Sequence, residues 1–191
     1  MTFMQNFAYF IVDTVFPVFL SEDFGFTDTE AGEIYGFIGL CGFLQSLLFT
    51  GYVIDKLGFM TAFNLGTLLL AIGRCVQVIA ADRTVLVVAT YSLVSTGFAL
   101  NTPATLIAIR RFAPRPARGI AFSAYYLLMN LSGILSTPCV DIIRRSVRQP
   151  VSAHIGALSS VQLSCYKVII LVSLLTSLLS FMLACMVRSS D

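Results

Sequence analysis

Long apolar stretches alternate with short charged punctuation along this chain. Between Glu33 and Asp55 lie 21 positions, residues 34–54, without Asp, Glu, Lys or Arg; at 1.5 Å per residue a helix of that length matches the roughly 30 Å hydrocarbon core of a bilayer. Residues 84–109, 119–140 and 168–187 are likewise free of formal charge over 26, 22 and 20 positions. Residues 57–81 have the same character but enclose Arg74, and residues 1–20 enclose Asp13. The pattern predicts an all-α polytopic bundle of six membrane spans near 2–20, 30–54, 57–81, 84–111, 118–142 and 164–188, with repeat halves at 1–81 and 84–191. Helices are required because lipid offers no hydrogen-bond partner to an open backbone.

Local signals sharpen the boundaries. Thr27-Asp28-Thr29-Glu30 reads as a capping box that starts span two near Asp28. Pro114 and Pro116 forbid a continuous helix between spans four and five. Span one lacks the basic leader and small-residue cleavage site of a signal peptide, since Phe16-Pro17-Val18-Phe19-Leu20 follows its apolar run. With the N-terminus inside, Lys56, Arg110, Arg111, Arg115, Arg118 and Arg188 collect on the inner side, and Arg83, Arg144, Arg145, Arg148 and Lys167 on the outer. The four Arg around the 110–118 loop favour that orientation.

Composition agrees and narrows the field. The 191 residues are 57% hydrophobic and 12% charged, against about 25% charged in soluble domains. A net charge of +2 gives no nucleic-acid footprint. One His and five Cys without C-x-x-C spacing provide no metal centre. No phosphate loop or nucleophile elbow is present, so neither an enzyme nor a cofactor is expected. The Cys behave as small hydrophobes, with Cys139 and Cys165 the only pair near enough in depth to bridge.

Between spans two and three stands Gly51-Tyr52-Val53-Ile54-Asp55-Lys56-Leu57-Gly58. Gly51 and Gly58 allow close helix approach and a tight reversal, and Asp55 can face a helix N-terminus or an Arg. This loop resembles the signature loop of the major facilitator superfamily. Glu30-Ala31-Gly32, Arg110-Arg111 and Arg118-Gly119 extend the resemblance to the N-terminal six-helix half of such transporters. Phe59 and Met60 stand where the family carries basic residues, the stretch from Thr90 to Gly97 lacks the Arg often found in span four, and Ser132 to Pro138 echo the antiporter Gly-Pro motif only faintly. The resemblance implies transport of a small solute by rocking two bundles about a midplane site, with spans one and four at the cavity. It also implies a missing C-terminal half or a homodimer partner, because family members have twelve spans. A non-transporting membrane protein that pairs with a full-length transporter, or a receptor-like interaction module, is the alternative.

Polar stripes locate candidate pathway residues. Gln5, Tyr9 and Asp13 recur every fourth residue on span one; Tyr91, Ser95, Thr102 and Thr105 share one series on span four, with Asn101 beside them; Ser123, Tyr126, Asn130, Thr137 and Asp141 mark span five. Ser and Thr that bond back to their own helix are the structural alternative. A charge at the bilayer centre costs about 2.5–3.5 kcal/mol on insertion scales, so Asp13 and Arg74 call for a shared pocket or each other. Arg74 stays charged, which leaves Asp13 to exchange a proton or meet the solute; snorkelling of Arg74 outward is the competing expectation. Gly32, Gly36, Gly39 and Gly42 form a small-residue strip that invites a neighbouring helix onto span two.

Overall fold

The computed structural model describes residues 2–147, 151–155 and 158–188; Met1 of span one and Arg148 of the outer charge count lie outside them. Five helices are long and apolar enough to cross a membrane, and a bent pair completes six spans. Span one is α1 (Thr2–Asp13) and α2 (Phe16–Phe24), which meet at 44°. Pro17 brings no N–H to the carbonyl of Asp13, and the chain tightens there, with the Val15 amide donating to the Val12 carbonyl at 3.0 Å. The break therefore falls immediately after the acidic residue.

Span two starts where the capping box requires. The Thr27 hydroxyl accepts from the Glu30 amide at 3.3 Å, and the Glu30 carboxylate accepts from the Thr27 amide at 2.9 Å. Helix α3 (Asp28–Gln45) continues through a π-helical turn, Ser46–Thr50, into α4 (Gly51–Leu57). Gly58 reverses the chain at φ +80°, which an L side chain resists, and α5 (Phe59–Ile79) forms span three. Span four is α6 (Arg83–Ala89), a second π turn Thr90–Val94, and α7 (Ser95–Phe112). A 3-10 turn at Arg115–Ala117 stands at the two prolines, and α8 (Arg118–Ser146) forms span five. Span six is α9 (Cys165–Arg188).

Span five runs on to Ser146, and β1 (Val151–Ile155) pairs antiparallel with β2 (Leu158–Leu163), Val151 opposite Leu163. The apolar-polar alternation of Val151-Ser152-Ala153-His154-Ile155 is the period of a strand. Cys139 and Cys165 are both unbridged.

Spans three and four are the most enclosed, with 56% and 50% of their apolar windows buried, while spans two and five reach only 11% and 17%. Spans three and four approach backbone to backbone. A side-chain carbon added at Gly66 would stand 2.9 Å from the Gly97 carbonyl oxygen, and one added at Gly97 would stand 2.8 Å from that of Gly66. Gly32, Gly36 and Gly39, by contrast, meet nothing within 4 Å. Spans one and six close the core through Ile11, Phe19, Leu20, Ile169 and Ile170, all fully buried, and the Ser173 hydroxyl donates to the Ala8 carbonyl at 2.6 Å.

At one end the connectors are stitched together. Arg83 donates to the Gly25 carbonyl at 2.9 Å, Tyr166 donates to Glu22 at 2.8 Å, Arg144 donates to the Tyr166 hydroxyl at 3.1 Å, and Ser164 donates to Asp23.

Replacing Gly66 by Leu is expected to force spans three and four apart and destabilise the bundle by about 1–3 kcal/mol, the usual cost of overpacking. Gly32→Ala, which enters open space, is expected to leave stability unchanged or raise it by up to about 1 kcal/mol through helix propensity. Thermal unfolding of the two variants in detergent checks both signs.

Candidate functional site

Spans one to four line an open cavity of about 340 Å³. Span one contributes Tyr9, Asp13 and Phe16; span two Tyr35 and the bare strip Gly36, Gly39 and Gly42; span three Arg74 and Gln77; span four Thr90, Ser95 and Phe98. The absence of side chains along span two leaves this space empty, since a larger residue at those glycines would fill it.

The two charges hold opposite situations inside one cavity. Asp13 accepts a 2.5 Å hydrogen bond from the Tyr35 hydroxyl. Arg74 is 4% exposed and does not snorkel. Its guanidinium donates to Gln77 Oε1 at 2.9 Å and lies over the Phe98 ring, 5.9 Å from the centroid. Gln77 Nε2 donates in turn to the Thr90 hydroxyl at 3.0 Å, and Thr90 donates to the Leu86 carbonyl at 2.8 Å. This relay crosses from span three to span four and ends on backbone, so the Arg74 head is held by a fixed acceptor. Among the described residues no ion pair joins Arg74 to Asp13, although both line the same cavity.

A second cavity of about 280 Å³ is lined by Gln5, Asn6, Tyr9, Phe98, Asn101, Thr105 and Tyr125, among others. Only Tyr9 and Phe98 border both cavities, and their rings meet edge to face at 4.8 Å. The pair forms the partition between them. Gln5 Oε1 and Asn101 Nδ2 are buried without hydrogen-bond partners on this second side, while Asn101 Oδ1 accepts from Thr67 at 3.3 Å.

The residues expected from sequence thus divide. Asp13, Arg74, Tyr9 and Ser95 share the first cavity, and Asn101 lines the second. Tyr91 packs between spans two and four: its ring meets Phe37 at 5.3 Å and its hydroxyl donates to the Ile34 carbonyl at 3.4 Å. Asn130 is exposed and bonds back to the Tyr126 carbonyl of its own helix at 2.9 Å. Ser123, Tyr126, Thr137 and Asp141 share its exposure, so the span-five stripe lies on the uncovered side of the bundle.

The expected loop between spans two and three is helical as far as Leu57, and Gly51, Asp55, Lys56 and the turn residue Gly58 are all exposed. Lys56 lies over the Tyr52 ring at 5.1 Å. Phe59, standing where the family carries a basic residue, packs instead against Phe112 and receives the Arg111 guanidinium over its face at 5.4 Å. Tyr35, Gln77 and Phe98 were not singled out from the sequence. Gln77 follows Arg74 by three positions, one helical turn, and that spacing is the signal that could have found it.

The family model described as Major Facilitator Superfamily matches residues 1–189. No match is found among curated proteins. Among solved structures, a bacterial homologue of the human drug peptide transporters is 18% identical with a TM-score of 0.78, covering 94% of this chain and 38% of that one. A peptide transporter of the POT type, solved with sulfate, is 16% identical with a TM-score of 0.80, covering 98% and 36%. A bacterial homologue of the iron transporter ferroportin, outward-facing, is 17% identical with a TM-score of 0.71, covering 98% and 45%. The likeness is one of fold, and the chain spans less than half the length of each.

Gln77→Leu is expected to strip the Arg74 head of its acceptor and lower stability by about 1–3 kcal/mol, the cost of an unpaired buried polar group. Tyr91→Phe removes a contact of 3.4 Å and is expected to change stability by less than about 0.5 kcal/mol. Thermal unfolding of both variants in one detergent separates the relay from the packing residue.

Proposed function

The chain belongs to the major facilitator superfamily, and from that premise we propose that it forms the solute-binding half of a secondary transporter working by alternating access. The observation that carries this reading is the cavity holding Asp13 and Arg74 without a direct pair, inside a multi-pass membrane bundle. A bare structural need for charge compensation would be met by an ion pair. Two separated charges around an empty volume instead serve something that enters it.

The Tyr9–Phe98 partition suits the same role. Two cavities stacked along spans one and four, with one aromatic pair between them, provide a path that a rotation of either ring opens or closes. Asp13 is the one carboxylate lining the first cavity among the described residues, and it is assigned the coupling proton. Protonation turns the charge-assisted hydrogen bond from the Tyr35 hydroxyl into a weaker neutral one and so loosens span one from span two on the solute side.

The uncovered face of spans two and five is assigned to a complementary six-helix bundle. That face exposes Phe37, Phe43, Leu47, Leu127 and Ile134, and the small-residue strip of span two lets a partner helix approach closely. A second copy of the chain is the alternative partner, and crosslinking through cysteines placed on span two discriminates the two arrangements. The non-transporting reading shares this face and differs only in flux.

Uptake of a labelled solute panel into vesicles carrying the complete gene product is expected to saturate with concentration. Asp13→Asn is expected to abolish the pH dependence of uptake while solute counterflow persists; an unchanged pH profile removes the proton from Asp13. Tyr9→Ala, which deletes one leaf of the partition, is expected to raise passive leak of small solutes roughly tenfold, equivalent to about 1.4 kcal/mol off the barrier, and tight vesicles would remove the partition. Absence of any saturable flux in the complete product overturns transport itself.

A further inference from the structure

We infer that Arg74 is a carboxylate-binding site and that the solute carried in the first cavity bears a carboxylate; this rests on the proposed transport reading only for the word carried.

The protein holds a cation there with Asp13 on the same cavity wall but, among the described residues, no ion pair to it. Arg74 is 4% exposed and cannot deprotonate to relieve its burial. A guanidinium has five N–H donors in a planar fork, and among the described residues only one acceptor, Gln77 Oε1, is hydrogen-bonded to it. The relay through Gln77 and Thr90 fixes the head from behind, and Phe98 lies against its face. What remains is the edge of the fork that borders the 340 Å³ space. A planar, two-oxygen anion is the shape that completes such a fork, by a pair of parallel N–H···O bonds.

Asp13 does not take that place. Its Oδ1 is occupied by Tyr35, and the absence of an ion pair leaves the guanidinium edge free. The acidic side chain instead stands elsewhere on the cavity wall, where it offers a counter-charge to an ammonium carried on the same solute. The surrounding walls are largely apolar, with Val12, Phe16, Ile38, Val94 and Phe98 beside the bare strip of span two, which fits a short hydrocarbon between the charged ends.

Three probes of matched skeleton separate these parts: butyrate, butylammonium and 4-aminobutyrate. Saturation-transfer NMR is recorded on the full chain in nanodiscs, with empty nanodiscs subtracted. Signals from butyrate and 4-aminobutyrate without butylammonium, weakened roughly tenfold or more in Arg74→Gln, about 1.4 kcal/mol of binding, are the expected result. Binding of 4-aminobutyrate alone, again lost in Arg74→Gln, supports the site equally and assigns the ammonium to Asp13. Butylammonium binding alone, no probe binding above the empty discs, or undiminished butyrate or 4-aminobutyrate binding by folded Arg74→Gln overturns it. Should Arg74→Gln fail to fold, Arg74→Lys replaces it. It keeps the charge but loses the fork, so weaker butyrate binding is expected and unchanged affinity counts against the site. Because binding rather than flux is read, a chain that binds butyrate yet moves no solute leaves this site standing while the transport reading falls.

Discussion

The bundle depends on one contact made by the absence of side chains. Where spans three and four cross, Gly66 and Gly97 bring each other's backbone carbonyls nearer than any β-carbon tolerates. In lipid there is little hydrophobic gain from joining two apolar helices, so dispersion between closely packed backbones must supply the attraction. That crossing sets the distance between two walls of the cavity. Higher along the same pair, Gly73 faces Val94, and only one residue further stands Arg74. The relay from Arg74 to Thr90 is possible because the helices are already this close.

Polar groups inside the bundle follow a consistent economy. Ser92, Thr96, Thr105 and Thr176 donate back to a carbonyl of their own helix, which satisfies the hydroxyl without committing a neighbour. A smaller set reaches between spans. Thr50 donates to the Ala99 carbonyl, Gln45 to the Tyr91 carbonyl and Ser173 to the Ala8 carbonyl. The buried groups that escape both patterns include Gln5 Oε1 and Asn101 Nδ2, and these two belong to the second cavity. Gln45 Oε1, Asn64 Oδ1 and Ser180 Oγ are likewise without partners and line neither of these two cavities.

Much of the architecture was legible from charge spacing alone, because a bilayer makes hydropathy nearly decisive. The capping box at Thr27 and the interruption at Pro114 and Pro116 were readable because each acts through a local hydrogen bond or its loss. Asp13 and Arg74 were visible as misfits, and the shared cavity was a fair expectation from their matching depth. The glycines illustrate the limit. A run of Gly32, Gly36, Gly39 and Gly42 advertises close packing, yet the first three face open space, while the decisive pair is split between two spans at Gly66 and Gly97. No single helix's periodicity contains that pairing. Asn130 shows the same limit: a stripe on span five defines a face but not what the face looks upon. The bend after Asp13 was available in Pro17, whose consequence for the Asp13 carboxyl of the same span needs the tertiary arrangement to be appreciated.

The π turns at Ser46–Thr50 and Thr90–Val94 have a consequence for how spans two and four are built. A π turn accommodates one surplus residue, and one residue is worth about 100° of azimuth on a helix. Each span is thus two pieces offset in azimuth, so the periodicity of one piece does not continue into the other. In span two the piece before the slip presents its bare edge to the cavity, whereas the piece after it carries Asp55 and Lys56 at its own independent bearing. Mutational drift at the loop is thereby decoupled from the geometry of the chamber.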